Sequence, residues 1–223
     1  MIIEIQEKIL LYCQRFSESM PSTTPIYQLK ITLKDIKPPI WRRILIPASA
    51  TFRDLHETIQ LVFGWSDCHL HDFSTEKDKW RGLYIEGKIT DLETLDGIDS
   101  FGEPPADERK VPLAERLKDE GQHIAYSYDF GDSWEHDIVL EKILPRDKDT
   151  EYPICIAGKR ACPPEDCGGV GGYYRLLEVL ADPKSEEHAD MLEWLGLESA
   201  DDFNPEEFDL ETVNELLRDG YEA

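Results

Sequence analysis

A chain of 223 residues with 40% hydrophobic content and five Trp is long enough to bury a core, which excludes a disordered polar tail. Lys and Arg number 24 against 47 Asp and Glu, a formal charge of −23, so the average surface field repels phosphate backbones and anionic lipid headgroups, and direct nucleic-acid binding is disfavoured. The opening MIIEIQEKILLYCQRF carries glutamates where a secretory signal has basic residues, and no apolar run approaches a membrane span, so a soluble, cytoplasmic protein is expected.

Ile2, Ile5, Ile9, Tyr12 and Phe16 recur at spacings of three and four, which predicts a short amphipathic helix, and the polar run Ser17–Pro25 reads as a linker. Residues 1–25 are therefore expected to be an accessory segment, and 26–223 a single domain. From Ile26 the period becomes two, with Tyr27, Leu29, Ile31 and Leu33 on one face of a half-buried strand. Asp35–Pro39 turns the chain into a second strand, Ile40–Ile46. Thr51, with Asp54 three residues on, predicts an N-cap for a helix whose stripe is Phe52, Leu55, Ile59, Val62 and Phe63, ending at Gly64. Strand, strand, helix is a ubiquitin-like opening, and the expected class is α+β with a mixed or antiparallel sheet.

Two short strands are predicted at His69–Ser74 and Leu83–Thr90, followed by an acidic surface loop, Asp91–Arg109, and a short helix over Val111–Lys118. The clearest strands are His123–Tyr128 and Trp134–Leu144, joined by the turn Asp129-Phe130-Gly131-Asp132. Tyr152–Tyr173, YPICIAGKRACPPEDCGGVGGY, concentrates three cysteines with proline and glycine and reads as an ordered loop rather than a helix or strand. Helices at Tyr173–Leu180, from a Ser185 cap to Leu195, and at Asp209–Arg218 form a C-terminal layer.

Five cysteines fit reduced thiols or a metal site better than a closed disulfide framework. Cys155, Cys162 and Cys167 are spaced more widely than the close pairs of most structural zinc sites, but a loop can still bring thiolates to one ion. His136, His71 and His69 are the histidines that could complete such a site, and zinc is the ion that sulfur and nitrogen donors would take. The alternative is that the cysteines are small buried hydrophobes and the histidines bond carbonyls. A nucleophilic cysteine is a further reading, resting on Lys159 and Arg160 before Cys162 and a helix after Cys167. The glycine run has neither phosphate-loop pattern, and a tight loop-to-helix turn explains it better. Asp129, Asp132, Trp134, Arg160, Glu165 and Asp166 are expected to line a cleft shared by this loop and the strand turn.

PPIWRRILIP, FGW followed by HLHDF, YSYDFGDSWEHDIVLE and GKRACPPEDCGGVGGY, in that order, resemble the plasmid pRiA4b ORF-3-like family, members of which are also described as insertion-sequence passengers of a TnpR-like kind. The resemblance spans about Ile26–Leu217. It implies an α+β fold and a bacterial, archaeal or mobile-element setting, and it implies no reaction. The expected function is an acidic binding or interaction module with an unknown protein or small-molecule partner; the alternative is a zinc-dependent hydrolase using the same cleft.

Overall fold

The computed structural model describes residues 24–75 and 107–219. The expected N-terminal helix, the strand Leu83–Thr90 and most of the loop Asp91–Arg109 lie outside the described residues. Six strands pair in the order β3-β4-β5-β1-β2-β6: β1 (Ile26–Leu33), β2 (Trp41–Pro47), β3 (His71–Ser74), β4 (His123–Tyr128), β5 (Trp134–Leu144) and β6 (Ile154–Lys159). Every pairing is antiparallel, with Leu29 opposite Ile44 on one side and Leu140 on the other.

The period of two does what the sequence predicts. In β5, Trp134, His136, Ile138 and Leu140 are buried while Glu135, Asp137 and Glu141 are half-buried on the other face. Helix α1 (Phe52–Phe63) covers the inward face with Phe52, Leu55, Ile59 and Val62, all essentially closed to solvent. Its start is the predicted capping box: the Thr51 hydroxyl accepts from the Asp54 amide at 3.2 Å, and the Asp54 carboxylate accepts from the Thr51 amide at 2.8 Å. Gly64 ends it in the left-handed region at φ 80°.

Helix α2 (Leu113–Arg116) is shorter than expected, because Pro112 stands before it as an extended N-cap rather than inside its first turn. Helices α3 (Gly169–Ala181) and α4 (His188–Leu195) pack on each other, with Glu187 rather than Ser185 as the N-cap of α4. Helix α5 (Leu210–Asp219) packs on α1 and β6. The Asn214 side chain stands in for a neighbouring strand at the edge of β6, accepting from the Cys155 amide at 2.8 Å and donating to its carbonyl at 2.9 Å.

The largest departure is at Tyr152–Tyr173, which is not one loop. Its first third is β6, held by pairing with β2, and its glycines open α3. Of the three glycines in that first turn, Gly169 and Gly172 are required by close backbone contact, which outweighs their poor helix propensity. Among the described residues no helix is long and apolar enough to cross a membrane.

Trp134 is fully buried, its ring 6.0 Å from Trp65. Trp134→Ala should therefore cost about 3–5 kcal/mol, as large core truncations do, and a denaturant midpoint equal to the wild type's would contradict this packing.

Candidate functional site

Three segments converge beyond the C-terminus of α1: Trp65–His71, the β4–β5 turn, and the loop between β6 and α3. The left-handed Gly64 turns the chain so that Trp65 is buried, stacked on Tyr128 at 5.0 Å and donating from its indole N–H to the Pro163 carbonyl at 3.0 Å. From there the segment alternates. Asp67 and His71 turn toward buried partners, while Cys68 is exposed and His69 half-buried.

Glu165 is the hub of the outer side. One carboxylate oxygen accepts from the Tyr128 hydroxyl at 2.5 Å and the Cys68 thiol at 3.6 Å; the other accepts from the Ser66 amide at 3.1 Å and from the Ser66 hydroxyl. His69 Nε2 lies 3.2 Å from Asp166 Oδ1 and 3.8 Å from Asp129 Oδ2. Asp67, Asp129 and Asp166 all have left-handed backbones, at φ 52°, 53° and 57°. Such positions cost roughly 1–3 kcal/mol and persist where surrounding contacts over-determine them, often at functional sites. Here the Asp129 carboxylate accepts from the Gly131 amide at 2.9 Å, the turn chemistry the sequence suggested.

The glycines explain how α3 reaches this junction. A Cβ on Gly169 would stand 2.3 Å from the Asp132 carbonyl oxygen, and one on Gly172 would stand 1.8 Å from that of Cys167. Asp132 Oδ2 accepts from the Gly168 amide at 3.0 Å. Past Asp166 the surface opens into a groove of about 270 Å³, floored by Leu176, Met191 and Trp194 and edged by Asp166, Cys167, Glu187 and Asp190.

On the inner side is a closed polar ring. Gln60 donates to the Tyr126 hydroxyl at 3.1 Å, Tyr126 donates to His56 Nδ1 at 2.8 Å, His56 Nε2–H donates to Asp67 at 2.9 Å, and the Asp67 amide donates back to Gln60 at 3.0 Å. This direction holds because His56 is neutral: burial pushes its pKa down to about 3, against the pull of Asp67 and with repulsion from His71. The His71 ring stacks on His56 at 3.5 Å and donates to buried Glu108 at 2.8 Å. Burial works against the charge of Arg53, but Glu57, Asp67 and Glu108 outweigh it and raise its pKa. His56, Asp67 and His71 have donor atoms close enough for an ion. Their rings, however, are parallel to within 5°, and an ion must lie in the plane of each imidazole that binds it, so this stack is not a metal site.

The sequence-predicted residues separate into two groups. His69, Asp129, Glu165 and Asp166 meet at the junction, with Asp132 bonded to its edge. His136 is fully buried among Phe63, Trp65 and Tyr126 and bonds the Trp134 carbonyl; burial pushes its pKa down to about 3. His71 belongs to the inner network, and Trp134 is core. Arg160 is buried elsewhere, bonded to Glu206 at 2.6 Å and to the Pro38 carbonyl at 2.7 Å.

Among the described residues, neither group of potential metal donors that includes His69 draws on Cys155, Cys162 or Cys167. Burial pushes all three thiols up, Cys167 to about 12 with Asp132 contributing, which leaves them protonated at neutral pH and unlike nucleophiles. Cys155 and Cys162 instead lie near Arg42, a buried guanidinium that bonds the Val62, Trp41 and Lys159 carbonyls and sits 4.4 Å over Phe208. Cys68 is the residue sequence reasoning missed. The available signal was the density of donors in Asp67-Cys68-His69-Leu70-His71.

Residues 25–212 match the family described as Plasmid pRiA4b ORF-3-like protein. The chain belongs to that family. It is 38% identical over 172 residues to "Uncharacterized protein y4hQ" of Sinorhizobium fredii, covering 77% of this chain and 81% of that protein. It also resembles the crystal structure of a protein of unknown function, MM3350 from Methanosarcina mazei Go1, with a TM-score of 0.68 and 43% identity, covering 85% of this chain and 97% of that one. A pRiA4b ORF-3-like chain thus carries the junction on an α+β fold, and neither relative's name states an activity.

The glycine contacts predict a contrast within one helical turn. Gly172→Ala should destabilise strongly, whereas Gly171→Ala, with open space around its Cβ, should be neutral or stabilise by about 0.5–1 kcal/mol; equal effects in denaturant titrations would contradict the packing of α3. The histidines predict a pH dependence. Both His56 and His136 have folded-state pKa values below the ordinary 6.5, so the unfolded chain binds more protons and stability falls as pH drops below about 6.5, by up to about 1.4 kcal/mol per pH unit for each. The melting temperature should decline from pH 6.5 toward about 5, and His136→Phe should reduce that slope; an unchanged slope would contradict a neutral, buried His136.

Proposed function

We propose that the protein is a binding module, working in the cytoplasm and associated with mobile elements, whose ligand seat is the groove between α3 and α4 beside the three-segment junction. The ligand it fits is a cationic segment of a protein partner. The observation that carries this reading is the indole of Trp194, 50% exposed over an apolar floor and surrounded by Asp166, Glu187 and Asp190. A large exposed aromatic rimmed by carboxylates is suited to a Lys or Arg side chain, whose charge lies over the ring while its stem covers Leu176 and Met191. Arg175 meets Glu187 at 2.7 Å and so neutralises one of the three carboxylates. The free thiols of Cys68, Cys155, Cys162 and Cys167 fit a reducing compartment. The plasmid in the family's name is what favours the mobile-element setting.

A hydrolytic enzyme at the same place is a second reading. It is favoured by Asp166, which borders both the groove and His69, so that a ligand in the groove would lie beside a cluster of potential metal donors.

The test is tryptophan emission of the full-length protein titrated with a short Arg- and Leu-containing peptide and with its Glu-for-Arg counterpart. Only the basic peptide should bind, and Trp194→Phe should remove the signal. Asp190→Lys should weaken binding by about tenfold, because reversing one exposed charge shifts the interaction by about 1.4 kcal/mol. Asp137→Lys, on the opposite face of the sheet, should not. Equal weakening by both would mean that the peptide senses only net charge and would remove the groove from the reading.

A further inference from the structure

Cys68, His69 and Glu165 each present a donor atom, of sulfur, nitrogen and oxygen respectively, and the three lie within 4.8 Å of one another. In a tetrahedral zinc site, donors about 2.0–2.3 Å from the ion stand about 3.3–3.8 Å apart. Cys68 Sγ and Glu165 Oε1 are already at 3.6 Å. The His69 donor lies within 4.8 Å of both, and His69 sits on the segment before β3 rather than in the paired strand.

A second observation concerns the same imidazole. His69 Nε2 is shut off from solvent and has no hydrogen-bond partner, although Asp166 and Asp129 approach it at 3.2 and 3.8 Å. An enclosed imidazole nitrogen without a bond is costly, and native structures rarely leave one so. Glu165 meanwhile has the outer support usual for a ligating carboxylate, with the Tyr128 and Ser66 hydroxyls and the Ser66 amide donating to it.

We propose that Cys68, His69 and Glu165 form a zinc-binding centre, with Asp129 and Asp166 adding negative charge beside the imidazole. Mixed sulfur, nitrogen and oxygen donors select zinc over magnesium or calcium. A thiolate and a carboxylate neutralise a divalent ion, so binding releases the thiol proton to solvent and leaves no uncompensated charge on the ligands. Three protein ligands leave a fourth position for water or a substrate atom, the number found in catalytic centres. This centre does not depend on what fills the groove.

Cobalt(II) is the probe, added to full-length protein purified without an affinity tag. It should bind stoichiometrically with thiolate-to-metal charge-transfer absorption in the near ultraviolet, and zinc should displace it. Cys68→Ser should abolish that absorption while leaving the circular dichroism unchanged, since Cys68 is exposed. Cys162→Ser should leave the absorption intact. His69→Gln and Tyr128→Phe should each weaken the metal by at least about tenfold. Absence of charge-transfer absorption in the wild type, or its persistence in Cys68→Ser, would overturn the assignment.

Discussion

The carboxylate of Glu165 ties the segment after α1 to β4 and to the loop before α3 through four donors from Ser66, Cys68 and Tyr128. Hydrogen bonds to an ionised acceptor contribute roughly 1.5–3 kcal/mol each when their donors are held in place. The remainder of the junction follows from that bond set. With Glu165 fixed, Asp166 is brought beside His69, Cys167 turns toward α3, and Gly169 meets Asp132 at a distance no other residue could accept. The left-handed backbones of Asp67 and Asp129 are held by other bonds, to Gln60 and His56 in one case and from the Gly131 amide in the other.

Beneath this hub the inner ring of Gln60, Tyr126, His56 and Asp67 has one consistent direction of donation, so each polar group is satisfied without a net charge on the imidazole. Asp67 stands at the boundary. Its carboxylate serves the inner ring while its neighbours Cys68 and His69 face the outer cluster, so the rigid network fixes the segment that carries the exposed donors. A site whose first residues are locked by a second polar layer is preorganised for a ligand.

Much of the sheet was legible because a strand with one buried face must alternate, and β1 does so from Tyr27, β4 throughout and β5 as far as Glu141. The Thr51 capping box was legible for the same reason, as a local rule with a local residue pattern. The glycine run misled because glycine's poor helix propensity and its value in close contact point in opposite directions, and only the position of Asp132 decides between them. Cys155 was hidden inside a strand because Ile154–Lys159 alternates weakly and is covered by Asn214 and α5. Glu165 and Asp166 lie near the β4–β5 turn, yet the partners of Glu165, Ser66 and Cys68, lie about a hundred positions away, and no local pattern announces such a pairing. His136 illustrates the converse: its place on an alternating apolar face already favoured a core residue over a ligand.

Glu165 and Tyr128 act together to hold the junction. A double-mutant cycle in denaturant unfolding, using Glu165→Gln, Tyr128→Phe and both together, measures that coupling without the other bonds. Contacting, hydrogen-bonded residues show interaction energies of about 0.5–3 kcal/mol, and this part-buried, charge-assisted bond belongs near the middle of that range or above it. A coupling of at least about 1.5 kcal/mol is expected; additive effects of the two substitutions would contradict joint action of Glu165 and Tyr128.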